Sequence, residues 1–292
     1  MQNATPLVIA VLAAELLPAA AFGFAAERVA QTIGRLPFAL RVLSPMVLVV
    51  PYVVLAEAQH MLRWQWFALY AALPPVMAWM LDRAAKADPE QRGNWRDALI
   101  LLTLGLAVDL RWFDVAWPVG MRGVGNLLLV DAGLYGFLGV RGLSGTGFDF
   151  HLRWSDWKTG LRELLFFAPA VLMLGLALGF IHPHANFPPA SKAALTWAGI
   201  FVFVAVPEEL FFRAWVQNLL ERRVGRRAAL VIASVLFGLS HFNKRSPTFN
   251  WRYVLLATVA GIFYGRAWRK HRRLPASAIT HTCVDWLWSW WF

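Results

Sequence analysis

Apolar blocks of roughly 16–28 residues recur along this chain, separated by short arginine-rich breaks, and that alternation leaves few folds open. A bilayer obliges each spanning segment to satisfy its own backbone hydrogen bonds, so runs of this length fold as helices. The blocks lie at about 6–26, 43–58, 66–81, 98–117, 126–140, 163–181, 193–220, 227–242, 253–268 and 275–292. The expected architecture is an all-α, polytopic transmembrane helical bundle of about eight to ten spans. The fourth block is the weakest, because Asp109, Arg111 and Asp114 interrupt it.

Composition agrees with this. Apolar residues make up 59% of 292 positions and charged residues 15%, with a mean hydropathy of +0.50. Soluble domains average about 45–50% and about 25%. A net charge of +11 could suggest nucleic acid, but the basic residues sit mostly in short connections, as charge held at an anionic membrane surface does. No nucleic-acid partner is expected. The single cysteine, Cys283, excludes an intrachain disulfide and any CxxC metal motif.

With ten spans, connections 27–42, 82–97, 141–162, 221–226 and 269–274 fall on one side and hold most of the arginines. The opposite connections carry only Arg63, Arg122, Lys192, Lys244, Arg245 and Arg252. The positive-inside rule makes the first set cytoplasmic. The first block lacks a basic leader and contains Glu15, so an uncleaved span is expected rather than a signal peptide. Polar connection 141–162 separates an amino-terminal membrane half, 1–150, from a half at 160–292 that holds the reactive residues.

Glu208 and Glu209 lie inside the apolar run AALTWAGIFVFVAVPEELFFRAWVQNLL. One ionised side chain at mid-membrane costs about 2.5–3.5 kcal/mol or more, so such residues are paired, wet or used. Glu209 and Arg213 are spaced i, i+4 and can neutralise each other, whereas Glu208 points about 100° away and needs water or a histidine from another helix. Pro207 removes one backbone hydrogen bond beside them and is expected to kink the helix. His241 closes the run AALVIASVLFGLSHF, and His281 and Asp285 in ITHTCVDW are again i, i+4. Each taken alone suits packing. Counted from the nearest cytoplasmic arginine at about 1.5 Å per residue, Glu208 and His241 lie roughly 21 Å deep, and His281 and Asp285 about 12 and 18 Å. Polar groups from three helices at overlapping depth point to acid–base chemistry on a carbonyl, with Glu208 accepting a proton from water, His241 holding that water and His281 donating to the oxyanion.

These residues carry a resemblance. PEELFFR resembles the EExxxR signature of the CAAX prenyl endopeptidase and bacteriocin-processing family of glutamic intramembrane proteases. The segment 237–241, Phe-Gly-Leu-Ser-His, is similar to its FxxxH motif, and 281–285, His-Thr-Cys-Val-Asp, to its HxxxN or HxxxD motif. The resemblance covers about residues 160–292. It implies that Glu208 activates water with help from His241, that Glu209 and Arg213 form a supporting pair, and that His281 stabilises the oxyanion, with Asp285 at the family's usual asparagine position. An ionised aspartate cannot donate to an oxyanion as an amide can, so Asp285 departs from the commoner form.

Other arrangements use the same residues differently. Glu208, His241 and His281 could ligate zinc with Glu209 as base, although the chain lacks HExxH and places His182 and His184 in a loop on the opposite side. Gly142-Leu-Ser-Gly145 superficially matches the serine motif of rhomboid proteases, but polar sequence follows it, and a turn is expected. Asp97, Asp109 and Asp131 would suit a proton-relaying transporter, or could pair with Arg96, Arg111 or backbone. A catalytically inactive membrane scaffold or immunity protein is the remaining alternative, with Asp285 its best support. The expectation is a membrane-embedded peptidase, a hydrolase acting on a membrane-associated peptide or protein, lipidated or not. Neither metal nor organic cofactor is expected. Arginine-rich loops without eukaryotic trafficking signals suggest a bacterial inner membrane, and nothing in the sequence sets an oligomeric state.

Overall fold

A computed structural model describes residues 5–184, 186–244, 246 and 248–292. Arg245 and the side chain of Arg122, both counted above on the arginine-poor side, lie outside the described residues. Among the described residues there is no strand, and ten helical stretches each take up most of one apolar block. They are α1 (Pro6–Arg35), α2 (Phe38–Ala58), α3 (Trp64–Ala87), α4 (Trp95–Asp109), α5 (Gly125–Val140), α6 (Trp154–Ala177), α7 (Ala190–Val224), α8 (Arg226–Leu239), α9 (Trp251–His271) and α10 (Leu274–Trp291). Of these, α1, α2, α6 and α7 are each long and apolar enough to cross a membrane. Large apolar side chains such as Leu165, Met173 and Leu195 point outward and are largely exposed, as lipid-facing positions are. The fourth block is cut short: α4 ends at Asp109, and the chain turns through Arg111, whose φ is +54°.

The chain divides into two compact units, one ending at Ser144 and one running from Gly145 to Phe292. In the first, α1 packs on α2 and α5, and α3 on α2, α4 and α5. Buried aromatics fill its centre, where Tyr52 and Tyr70 approach to 4.7 Å and Trp117 Nε1 donates to Tyr70 Oη at 2.8 Å. Asp97 does not pair with Arg96. It caps α4 and accepts from Arg141 Nε at 3.1 Å, and Arg141 also reaches Asp88 at 2.6 Å. The Gly142–Gly145 segment is a turn: Gln91 donates to the Gly142 carbonyl at 2.8 Å and accepts from the Ser144 hydroxyl at 3.1 Å. Ser144 is thereby committed to that turn.

The second unit is a bundle in which α9 packs on α6, α8 and α10, and α10 also lies against α6 and α7. Helices α9 and α10 are joined by only two residues, Arg272 in the left-handed region at φ +51° and Arg273. Residues 146–151 strap this turn. Leu274 N donates to the Gly147 carbonyl at 2.8 Å, and Trp268 Nε1 to the Thr146 carbonyl at 2.9 Å. Gly147 sits at φ +69° with the Arg272 carbonyl against the place a Cβ would occupy, so only glycine fits. Arg273 forms a fork on Asp156, at 2.7 and 2.9 Å, and reaches Asp149 at 2.6 Å. Asp156 in turn caps α6 by accepting from Arg153 N at 2.9 Å.

Partial burial raises the Asp149 carboxyl, but hydrogen bonds from Arg273 and His151 outweigh it and hold the group below the usual carboxylate range. A folded-state pKa below the unfolded one gives stability that is present above the unfolded value and lost as pH falls through the folded value. Thermal unfolding of the full chain in detergent should therefore show Asp149→Asn less stable than wild type at pH 7. The gap should begin to narrow as pH falls through about 4 and shrink further below it. A gap that stays constant down to pH 3.5 would exclude the charged strap.

Candidate active site

The site is built entirely within the second unit. Helix α7 carries the two glutamates in one regular turn, Val206–Glu209, with wider π-type turns on both sides, at 201–205 and 210–217. Pro207 has no N–H to give and its ring crowds the preceding turn, where the ladder runs as a wider π-type turn. Such widened turns recur at functional sites.

Glu209 is completely buried and fully engaged. It accepts from Arg213 Nε at 2.9 Å, from the Ser277 hydroxyl, and from His281 Nδ1 at 2.9 Å. The i, i+4 pair expected from the sequence is present, and it extends to two groups on α10. Arg213 is buried as deeply, with its guanidinium 5.2 Å from the centre of the Phe237 ring. The Ser277 hydroxyl also lies 2.9 Å from the Tyr264 carbonyl, so α7, α9 and α10 meet at this one polar cluster. Removing the charge of either ion-pair partner would strand the other in a site without water.

Glu208 is the contrast. Its side chain is 28% exposed and its Oε2 has no hydrogen-bond partner among the described residues. The nearest ionisable group is His281, whose Nε2 lies 3.9 Å from Glu208 Oε2 and 3.4 Å from Asp285 Oδ2. Because Glu209 accepts at Nδ1, that nitrogen carries a hydrogen, and Nε2 is the edge turned toward Glu208 and Asp285. The ring is fixed from its flat side as well, stacked on Tyr264 at 4.6 Å with 17° between planes. His241 Nδ1 lies 2.9 Å from the Phe237 carbonyl, which can only accept, so its Nε2 is left as the free edge. Phe237 stands between the two histidines, 4.9 Å from His241 and 5.7 Å from His281, and Tyr253 closes on His241 at 4.8 Å.

The two histidines and Asp285 open on one cavity of about 220 Å³, walled by α6, α7, α8, α9 and α10 and mostly aromatic and aliphatic, including Phe180, Tyr253 and Leu256. Six residues singled out from the sequence thus gather here: Glu209, Arg213 and His281 in contact, Glu208 and Asp285 beside His281, and His241 across Phe237. Two members are new. Ser277 precedes His281 by four residues, as His281 precedes Asp285, so one helical face presents all three and the spacing could have revealed it. Tyr264 lies in an ordinary apolar run and carries no such signal.

A zinc site would need Glu208, His241 and His281 to converge with Glu209 left as base. Among the described residues no three His, Cys, Asp or Glu side chains converge in that way, and Glu209 is already held by three donors. His182 and His184 stay in their loop, where the His184 amide donates to the Trp291 carbonyl at 3.0 Å.

Residues 189–287 match the family described as Type II CAAX prenyl endopeptidase Rce1-like, which takes in α7–α9 and most of α10. That segment, a third of the chain, is similar to this family of membrane endopeptidases. No curated protein and no solved structure matches the chain. The apolar helices and this similarity support an integral membrane protein.

Proposed function

We propose that the chain is an intramembrane glutamic endopeptidase that hydrolyses a peptide bond of a membrane-associated protein or peptide. The observation that carries this reading is the division of labour between adjacent glutamates: Glu209 is consumed by Arg213, Ser277 and His281, while Glu208 is partly exposed and unbonded beside His281. A partly exposed carboxylate without a committed partner, beside a histidine that lines the cavity, is what a water-activating base requires.

In this mechanism Glu208 takes a proton from a water, and His241, through its free Nε2, holds that water against the scissile carbonyl. The new C–O bond pushes the carbonyl electron pair onto oxygen, and His281, in its imidazolium form with Nδ1 donating to Glu209, offers its Nε2 hydrogen to that oxyanion. Collapse expels the amine, which takes the proton held by Glu208. Glu209 and Arg213 act as positioning residues, aiming the imidazole of His281 through Nδ1. Asp285 is placed beside the same Nε2, where it orients His281. The catalytic assignment is therefore Glu208, His241 and His281, supported by Glu209, Arg213 and Asp285. The substrate is a membrane protein or peptide, lipidated or not, whose side chains enter the aromatic cavity from the bilayer or its edge. The membrane is assigned as a bacterial inner membrane, from the arginine-rich connections.

Comparing membrane peptidomes of cells producing wild-type and Glu208→Gln protein at equal levels tests this. Wild type should generate carboxyl-terminal fragments of a restricted set of membrane proteins that the variant does not. A cell phenotype that persists in the variant without any wild-type-dependent fragment would assign the chain to a non-proteolytic scaffold instead. Fragments that disappear on chelation and return with zinc would support the metal arrangement.

A further inference from the structure

The mechanism above gives the oxyanion one donor, His281, and Asp285, where the resembling family commonly carries an asparagine, accepts when ionised. Tyr264 is the group at hand. Its ring lies flat against His281 at 4.6 Å and edge-on to Phe237 at 5.7 Å, which fixes its plane and leaves it little rotational freedom. Its carbonyl lies within 2.9 Å of the Ser277 hydroxyl, so its backbone is tied to the same cluster that holds Glu209. Gly261 and Gly265 flank it on α9 and let that helix run hard against Ser234 and Gln217, which carries the phenol deep into the bundle.

Tyr264 lines the cavity with His241, His281 and Asp285 while only 2% exposed. A phenol enclosed by apolar helices normally finds a partner. Among the described residues no side-chain hydrogen bond takes up this one, and the charges of Asp285, Glu209, Arg213 and Glu208 act on it. A phenylalanine would satisfy every packing contact described. The hydroxyl is the part that packing leaves unexplained.

We propose that the Tyr264 hydroxyl is a catalytic hydrogen-bond donor to the oxyanion, supplying the neutral donor that Asp285 does not. The phenol keeps its proton throughout: it donates a hydrogen bond as the C–O bond forms and the carbonyl pair moves to oxygen, and releases it when the carbonyl re-forms. This rests on the glutamic-protease reading.

The test uses the full-length chain in detergent and, as probe, a quenched fluorescent peptide copied from the strongest wild-type-dependent cleavage found in the peptidome. Tyr264→Phe should lower kcat by about 10²-fold with KM within about twofold, as loss of one oxyanion donor does. Adding Asp285→Asn to Tyr264→Phe should restore at least a tenth of the wild-type kcat, because an amide then donates from the neighbouring turn. Unchanged thermal unfolding of Tyr264→Phe separates this from a packing defect. If Glu208→Gln is inactive but Tyr264→Phe keeps more than half of the wild-type kcat, the tyrosine assignment is overturned alone. If Tyr264→Phe is impaired and Asp285→Asn does not rescue it, the donor role is likewise overturned. A wild-type-like Glu208→Gln overturns the protease reading itself, whatever Tyr264→Phe does.

Discussion

Glu208→Gln should lower peptide cleavage by about 10³-fold and leave the fold unchanged. Glutamine keeps the size and one acceptor of the side chain but cannot take a proton from water. Glu208 makes no hydrogen bond that its loss would break among the described residues, so the melting temperature should stay within about 2 °C of wild type. The measurement is the initial rate on the peptide probe, alongside thermal unfolding of the same preparation. A variant that retains a tenth of wild-type activity would move the base elsewhere, with Glu209 and Asp285 the other carboxylates beside His281 among the described residues.

Arg213→Met carries the largest expected cost in stability. Arg213 and Glu209 are both wholly buried, and removing one partner of such a pair leaves an uncompensated charge, a loss of about 3–5 kcal/mol. Ser277 and His281 continue to bond Glu209, which favours the lower end of that range. Adding Glu209→Gln should recover much of the stability, because the buried charge is then gone. It should not recover activity, since His281 loses the anion that aims it. Denaturant unfolding in micelles together with probe cleavage separates the two effects. A single Arg213→Met variant as stable as wild type would mean that the pair is open to water.

The pattern that sequence carries best is periodic. Block length announced the helices, and four-residue spacing announced Glu209 with Arg213 and His281 with Asp285, because one helical turn places such residues side by side. Depth along the helices brought Glu208, His241, His281 and Asp285 to overlapping levels, and the two histidines do meet at one cavity with Asp285. Depth does not say which way a helix faces. That is why the sequence could not tell which glutamate would take Nδ1 of His281, and why Glu209 turned out to hold it while Glu208 stayed free. Partners far apart in the chain were equally hidden: Arg141 lies 44 positions from Asp97, and nothing local favours it over neighbouring Arg96. Tyr264 was invisible for another reason. A tyrosine in an apolar helix reads as packing until the ring beside it is known.

The strap at 146–151 bears on where this machine begins. The portion that similarity outlines starts at residue 189, yet the turn that launches α10, and with it His281 and Asp285, is clamped by Gly147, Asp149 and Asp156 from more than thirty positions upstream. A fragment trimmed to the recognisable outline would keep every reacting group and lose the brace that sets the angle of the helix bearing two of them.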